Sequence, residues 1–374
     1  MSSVTSATST RLESLDVFRG LTIAAMILVS TPGTWEAVYW PLEHAVWHDW
    51  TPTDLVFPFL LFAMGAAVPF ALARRRSDDR RLRHHVIRRG LILFGLGLLL
   101  NAIETPLPLG LSAFRIPGVL QRIAIVYVAI AALTERTSRR TQVAVASTAL
   151  LGYWAVMMLV PVPGAGAGVL TPEGNLAGFL DRSLLGTHLA HEYWDPEGLL
   201  STVPAIATGL CGVFAGDWLN RRSVTPHRTA ALLAAGIAAA AVGLLWDQVF
   251  PINKNLWTSS FAIFSAGIAA AVLALCHWIL DVKRWRGWEE PFLACGRNPL
   301  AGYTLSVALD SLLTRWTPFG DVPLKSVIFQ RAFASWATPC CGAEAASLLY
   351  ALAYVALWEV ALLVLYRKDV FIGI

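Results

Sequence analysis

Residues 43–54, EHAVWHDWTPTD, carry proton-exchanging side chains at the start of a long apolar segment. His44 can accept and return a proton near neutral pH, where imidazole ordinarily titrates. Asp54, ten residues later, could orient the ring of His44 and stabilise its charged form. This spacing makes His44 a candidate general base with Asp54 as its partner. The alternative is an interfacial histidine held in an aromatic belt at a membrane surface.

A metal site is a second interpretation of these histidines. His44 and His48 are four residues apart, and His188 and His191 are three apart, so two pairs could share zinc. Ala45 follows His44, so the His-Glu-x-x-His motif of zinc proteases is absent. The five cysteines show no paired spacing of zinc ligands. We therefore expect no metal cofactor.

The composition is that of an integral membrane protein. Of the 374 residues, 56% are hydrophobic and 14% are charged, against about 25% charged residues in an ordinary soluble domain. The small polar residues 1–10 are expected to form a disordered tail, and residues 11–374 one all-α transmembrane domain. The lipid bilayer is then a partner, and no nucleic-acid partner is expected.

Ten segments are apolar enough, over about 20 residues, to be candidate spans. They lie near residues 15–32, 54–73, 87–104, 117–134, 141–161, 198–219, 228–248, 257–280, 291–310 and 346–366.

Basic residues predict the orientation of these spans, because cytoplasmic loops are rich in Lys and Arg. The connection 74–89 holds eight arginines, and every second connection after it is also basic, as is the C-terminal segment. Loop 33–53 has no Lys or Arg. Both termini are therefore predicted to be cytoplasmic, and His44 is predicted to face the other side.

Ionisable residues inside a span cost free energy and are usually paired or functional. Arg19 shares a helical face with Asp16, so it either pairs there or reaches into a cavity. Arg122, beside Gln121, lies just inside the outer end of the fourth span and needs a carboxylate partner or a ligand. Asn298 and Asp310 belong to the same group of intramembrane polar residues.

Arginines at the threshold of the third span could hold an anionic cofactor, because guanidinium matches phosphate oxygens. Arg88 and Arg89 are the candidates, while the rest of the basic run is typical of a topology signal. On the outer face, Glu197, Asn253, Lys254 and Trp257 suit sugar recognition by hydrogen bonds and stacking. Each of these residues, taken alone, also fits capping and turn chemistry.

Seven segments together resemble the heparan-alpha-glucosaminide N-acetyltransferases and their bacterial relatives. They are SLDVFRGLTIAAMILV, HAVWHDWTPTDLVFPF, PGVLQRIAIVY, GNLAGFLDR, DPEGLLSTVPAIATGL, NKNLWTSSF and LYRKDVFIGI.

The resemblance implies an enzyme that takes acetyl-CoA from the cytoplasm and acetylates the amine of a glucosamine-type sugar across the membrane. The family's active-site histidine falls on His44. Ser30 stands where relatives often have an asparagine. The resulting cofactor-binding set and acceptor-binding set extend the candidates above. The first comprises Arg19, Ser30, Arg88, Arg89, Gln121, Arg122 and Asn298, and the second Glu197, Asn253, Lys254, Trp257 and Asp310.

Several alternatives stay open at this level. His44 could be a general base or could carry the acetyl group as an acetyl-histidine intermediate. A proton-coupled sugar transporter or a transmembrane O-acyltransferase would show similar spans and buried charges. A bacterial inner membrane is the expected location. Small-residue stretches such as AALLAAGIAAAAVGLL could pack within one subunit or between two in a homodimer.

Overall fold

The computed structural model describes residues 12–73, 79–105, 114–220, 225–318 and 320–372. These residues fold into helices joined by turns and loops, and among them there is no β-ladder, only the isolated bridges Asp49–Asn253 and Val162–Gly166. The tail predicted for residues 1–10 lies outside the described residues. Parts of four predicted connections, at 74–78, 106–113, 221–224 and 319, do so as well.

The helices follow one another along the chain with these bounds. They are α1 Glu13–Ser30, α2 Val56–Ala73, α3 Asp79–Glu104, α4 Val119–Arg136, α5 Arg139–Leu159, α6 Leu176–Leu185, α7 Thr202–Leu219, α8 Pro226–Asp247, α9 Ser259–His277, α10 Glu290–Arg297, α11 Pro299–Arg315, α12 Leu324–Phe329, α13 Ser335–Cys341 and α14 Ala343–Arg367.

Seven helical segments of the described chain are long and apolar enough to cross a membrane, which supports an integral membrane protein. They are Pro52–Ala73, Arg80–Glu104, Arg139–Leu159, Thr202–Leu219, Pro226–Asp247, Ser259–Val282 and Ala343–Arg367.

The other three predicted spans correspond to α1, α4 and the pair α10–α11. Helix α1 carries Glu13, Asp16 and Arg19 within its first turns, which lowers its hydropathy. The segment predicted as a single span at 291–310 is interrupted at Asn298. The cause is Pro299, because proline lacks an amide N–H and disfavours helical geometry in the residue before it.

Helix α2, which begins just after Asp54, is packed against α7 through glycines. A Cβ atom on Gly65 would lie 2.0 Å from the carbonyl oxygen of Gly209, and one on Gly212 would lie 2.1 Å from that of Phe62. Only glycine permits the two backbones to approach so closely. The contact fixes the height and rotation of α2, and with them the position of Asp54.

Two segments predicted as long loops contain short helices. Helix α6 lies inside 162–197, and the side chain of Asn175 caps it by accepting the amide N–H of Gly178. Helices α12 and α13 lie inside 311–345. Both regions cover the end of the molecule that carries His44.

Candidate functional site

The side chains of His44 and Asp54 are in direct contact. Nδ1 of His44 lies 2.7 Å from Oδ1 of Asp54. A single 3₁₀ turn, Pro52–Leu55, precedes α2 and places Asp54 at its third position. Because an ionised carboxylate can only accept hydrogen bonds, Nδ1 is the donor, and Nε2 of the neutral ring carries the lone pair. The ring is thereby set in the tautomer that a general base at Nε2 requires.

Asp54 is itself held rigidly by its neighbours. Its Oδ2 accepts from the amide N–H of Ala45 at 3.1 Å, from that of Thr51 at 3.0 Å and from the Thr51 hydroxyl at 3.2 Å. The Asp54 side chain is 1% exposed, whereas that of His44 is 46% exposed. A buried, fully bonded carboxylate therefore orients an imidazole that remains open to solutes.

Lys254, which follows α8, reaches the same pair from the other half of the chain. Its Nζ lies 3.0 Å from Nδ1 and 3.2 Å from Nε2 of His44, and 3.6 Å from Oδ1 of Asp54. Burial lowers the pKa of the Lys254 ammonium, and the carboxylates of Asp54 and Glu197 oppose that shift. The site thus combines an imidazole, a carboxylate and an amine.

The backbone around Lys254 is held in an unusual shape. Trp257 has a φ of 48°, in the left-handed region, and Asp49 has a φ of 71° where it forms a parallel bridge with Asn253. The Asn253 side chain accepts the amide N–H of Leu256 at 2.8 Å. These constraints join the loop of His44 to the loop of Lys254.

Arg122 lies buried beneath this loop. Its guanidinium carbon is 5.0 Å from the centroid of the Trp257 ring, and its Nη2 donates to the carbonyl of Gly198 at 3.2 Å and to the Ser201 hydroxyl. Its Nε and Nη1 find no hydrogen-bond partner among the described residues. Arg122 therefore keeps donor capacity in the first turn of α4.

Trp257 is 1% exposed. Phe57 and Phe261 pack against its ring as well as Arg122, and its Nε1 donates to the Thr208 hydroxyl at 3.2 Å. The ring therefore acts as a platform for Arg122, and stacking on a sugar would require the loop to open.

A second ion-pair network lies on the same face. Arg115 donates to Asp195 through Nε at 2.9 Å and through Nη2 at 2.7 Å, and it also contacts Glu197. The two carboxylates raise the pKa of Arg115 and outweigh its burial. Sequence reasoning named Glu197 but missed Arg115, because eighty residues separate it from Asp195 and nothing in the local sequence joins them.

An elongated cavity with an empty volume of about 860 Å³, open space at its mouth included, runs beside α2. Arg19, Arg89 and Tyr127 are among the few polar groups that line it, and Arg89 lies 4.9 Å from the centroid of the Tyr127 ring. The remaining lining is almost entirely apolar. It comprises Ile23, Leu60, Met64, Ala67, Val68, Ala71, Leu93, Leu120, Ile123, Pro299, Leu300 and Tyr303.

Of the α2 residues that line the cavity, Leu60 is the nearest along the helix to the His44–Asp54 pair. Along α2 its lining extends from Ala71 to Leu60, a helical rise of about 17 Å, and Asp54 lies about 9 Å beyond Leu60. Arg19 and Arg89, which the sequence proposed as phosphate ligands, are thus brought into one cavity. His44 and Asp54 are brought together beyond its opposite end.

Other predicted cofactor residues lie elsewhere. Arg88 is exposed on α3, outside the cavity lining, beside His84 and Leu91. Ser30 is the last residue of α1 and is partly buried. Asn298 donates to the carbonyl of Val370 at 3.1 Å and accepts the amide N–H of Ile372 at 2.8 Å, so it holds the C-terminal segment.

Two further predicted residues have structural partners. Gln121 is buried, donates to the carbonyl of Ile116 at 3.0 Å and packs against Gly97. Asp310 forms an ion pair with Lys325, with Oδ1 and Nζ 2.9 Å apart.

The histidines considered as metal ligands point to different partners. His48 lies 3.4 Å from the Asn253 amide, and His188 donates to the carbonyl of Phe114 at 2.7 Å. His191 stacks on Trp194 with ring centroids 4.0 Å apart. Within the residues that the structure describes, no group of three or more His, Cys, Asp or Glu side chains is placed to share a metal ion.

These features define a helical integral membrane protein in which His44, Asp54 and Lys254 form one cluster and an apolar cavity lies beside α2. The family model described as heparan-alpha-glucosaminide N-acetyltransferase, catalytic, matches residues 11–245. The chain therefore belongs to this family, and the resemblance carried by the seven sequence segments is confirmed.

Two curated relatives match over almost the whole chain. The human heparan-alpha-glucosaminide N-acetyltransferase is 27% identical over 424 aligned residues, which cover 98% of this chain and 60% of the human protein. The mouse protein of the same name is 26% identical over 423 residues, which cover 98% of this chain and 61% of the mouse protein. The chain thus spans about three fifths of the length of these relatives.

Proposed function

We propose that this protein transfers an acetyl group from cytoplasmic acetyl-CoA to the amine of a glucosamine-type sugar on the opposite face of the membrane. One observation carries the proposal. The His44–Asp54 pair lies beyond one end of an elongated apolar cavity, and two arginines, Arg19 and Arg89, line the cavity elsewhere. Such a cavity suits a ligand with an anionic head and a long, thin arm that ends in a reactive group.

The charge distribution supports the orientation. With the ten spans expected from the apolar segments, the basic connections predict both termini in the cytoplasm and His44 on the extracytoplasmic face, and the membrane is expected to be a bacterial inner membrane. Residues 11–374 then form a single transmembrane domain. In this orientation Arg19, near the start of α1, and Arg89, in α3, lie toward the cytoplasm, where CoA is found.

Arg19 and Arg89 would hold the phosphates of CoA, because guanidinium groups bind phosphate oxygens through paired hydrogen bonds. The Nε of Arg89 finds no hydrogen-bond partner among the described residues, so it has a donor to offer. The apolar lining would bury the pantetheine arm and exclude water from the thioester. The acetyl group would then approach His44 from the membrane interior.

His44 would act as the general base of the transfer. Nε2 takes a proton from the acceptor ammonium, and the freed amine attacks the thioester carbonyl. A C–N bond forms and the C–S bond breaks. The leaving thiolate takes the second proton from the nitrogen and becomes free CoA. Asp54 stabilises the imidazolium through Nδ1–H, and the Lys254 ammonium and the free donors of Arg122 supply positive charge near the reacting groups.

The acceptor would bind on the outer face, where Glu197 and Lys254 offer opposite charges. Asn253 shapes the loop that presents Lys254, and Asp310 lies in the ion pair with Lys325 at the outer part of α11. A sugar carries hydroxyl groups and an amine, so carboxylates and an ammonium can bind both kinds of group.

The test is acetyl transfer by the purified protein in detergent, from radiolabelled acetyl-CoA to glucosamine, for the wild type and His44→Ala. Label in N-acetylglucosamine that depends on His44 is the expected result. A wild type that binds CoA yet acetylates no amino sugar would contradict the proposed acceptor. A wild type that neither transfers acetyl nor binds CoA would contradict the enzyme activity itself.

A further inference from the structure

Lys254 is placed differently from the other lysines of the chain. The sequence contains four, Lys254, Lys283, Lys325 and Lys368. Of these, Lys254 lies with its amine 3.0 Å and 3.2 Å from the two ring nitrogens of His44. Lys325 is on the same face but forms an ion pair with Asp310, and Lys283 lies over the Trp278 ring.

The Lys254 amine lies against the ring of His44, 3.0 Å from Nδ1 and 3.2 Å from Nε2, so a rotation of its flexible side chain would align it with the Nε2 lone pair, where an acceptor amine has to lie. A general base accepts a proton from a group within hydrogen-bond reach, about 2.6–3.2 Å between heavy atoms. The Nζ of Lys254 meets this condition at the ring of His44. The chain therefore carries its own primary amine next to the base that is proposed to activate the substrate amine.

The surroundings of Lys254 favour loss of its proton more than those of a surface lysine do. Its side chain is 17% exposed, and burial lowers the pKa of the ammonium. Asp54, whose Oδ1 is 3.6 Å away, and Glu197 oppose that change. The same two carboxylates would face a bound sugar ammonium, so Lys254 and the acceptor share one electrostatic environment.

We propose that Lys254 is a self-acetylation site, which takes the acetyl group from acetyl-CoA when no acceptor sugar is bound. This inference rests on the proposed function. It adds a modification site to the protein. It also adds a class of acceptor for the enzyme, a primary amine on a flexible alkyl chain.

The reaction balances without any further reagent. His44 takes one proton from the Lys254 ammonium, and the neutral Nζ attacks the thioester carbonyl. A C–N bond forms, the C–S bond breaks, and CoA leaves as a thiol after it takes the second proton from the nitrogen. The products are Nε-acetyl-lysine, free CoA and one proton, which leaves from His44.

Acetylation removes the positive charge beside His44 and Asp54 and places an amide in the acceptor position. The modified enzyme should therefore lose transfer activity. A bound acceptor competes for the same acetyl group and occupies the same space, so glucosamine should protect Lys254.

The experiment incubates purified protein in detergent with acetyl-CoA, with and without glucosamine. Peptide mapping by mass spectrometry then measures acetyl occupancy at each lysine. We expect Lys254 to be acetylated at least tenfold faster than Lys325 in the same sample, and glucosamine to suppress this labelling. Lys325 is the matched internal control, because both residues lie on the outer face and both pair with an aspartate.

Two variants separate self-acetylation from simple chemical reaction with acetyl-CoA. Lys254→Arg keeps the positive charge but has no lysine amine at this position. Peptide mapping should therefore find no acetyl group on the loop that carries residue 254. His44→Ala should reduce labelling of Lys254 to the rate of Lys325. Labelling of Lys254 that persists at the wild-type rate in His44→Ala would overturn the inference.

The same preparation is assayed for acetyl transfer to glucosamine, which distinguishes two failures. If glucosamine is acetylated while Lys254 stays unmodified in the absence of acceptor, self-acetylation is wrong and the proposed function stands. If neither glucosamine nor Lys254 is acetylated although the protein is folded, both are wrong.

Discussion

Oδ1 of Asp54 lies 2.7 Å from Nδ1 of His44, while Oδ2 of the same carboxylate accepts two backbone amides and a hydroxyl. The two oxygens thus have separate tasks. One orients the imidazole, and the other fixes the loop between residues 45 and 51. The orientation of the His44 ring is therefore fixed by the protein itself.

Asp54→Asn should lower kcat by about 10²-fold or more, the lower end of what a positioned general base contributes. Asparagine has one acceptor oxygen where aspartate has two, so it cannot accept both the Nδ1–H of His44 and the backbone N–H groups of Ala45 and Thr51. Initial rates measure the loss. The dissociation constant of CoA is the control and should stay unchanged, since the cavity lies about 9 Å away. A wild-type kcat would contradict the orienting role.

Arg89→Gln should weaken CoA binding by at least tenfold, because the variant removes one of the two guanidinium groups that line the cavity. Arg88→Gln is the matched control. It removes the same charge one residue earlier on α3, at an exposed position outside the cavity. Isothermal titration with CoA compares the two. Equal losses in both variants would mean that the arginines act through general surface charge.

Arg115→Gln should destabilise the fold by about 3–5 kcal/mol, because it leaves the buried carboxylates of Asp195 and Glu197 without their partner. Thermal unfolding in detergent should show a clearly lower melting temperature. Arg367→Gln is the comparison, since it breaks an exposed pair with Glu290 on the molecular surface. Similar melting temperatures for the two variants would contradict a stabilising role of the Arg115 network.

The stability of the wild type should fall as the pH rises through about 6, because burial raises the pKa of Asp181 to about 6. The folded state holds this proton more tightly than the unfolded state, so the contribution is complete below the ordinary carboxyl pKa and is lost above about 6. The loss is about 3 kcal/mol at most.

Asp181→Asn tests this linkage, because an amide keeps an oxygen that can accept the N–H of Leu199. The variant should raise the melting temperature relative to the wild type at pH 8 and change it little at pH 4. The same difference in melting temperature between Asp181→Asn and the wild type at pH 4 and at pH 8 would contradict the assignment to Asp181.

Local sequence predicted the parts of the site that lie close together in the chain. His44 and Asp54 were paired from their spacing, and the structure places them in hydrogen-bond contact. Arg19, Arg88 and Arg89 were proposed to hold one anionic cofactor, and of these Arg19 and Arg89 line the same cavity while Arg88 lies outside it. The position of Lys254 on the His44 ring required tertiary structure, because 210 residues separate the two.

Contacts between distant segments also changed some assignments. Trp257 was predicted to stack on a sugar because it lies in an outer-face loop with amide and charged side chains, but packing against Phe57 and Arg122 buries it. Asn298 was expected from the sequence to contact the cofactor. In the structure its side-chain amide forms hydrogen bonds with the C-terminal segment. Amide side chains bind backbone groups as readily as ligands, so residue type alone cannot separate these roles.

The apolar lining of the cavity has a consequence for the membrane that contains it. Between Ala71 and Leu60, over about 17 Å of helical rise, the side chains of α2 are apolar, and the arginines of the lining repel a cation, so a metal ion finds little to replace its hydration shell. Desolvating a charge in such surroundings costs many kcal/mol. A thioester arm could therefore occupy the passage while protons and metal cations are kept out, and the membrane would retain its electrical insulation during each catalytic cycle.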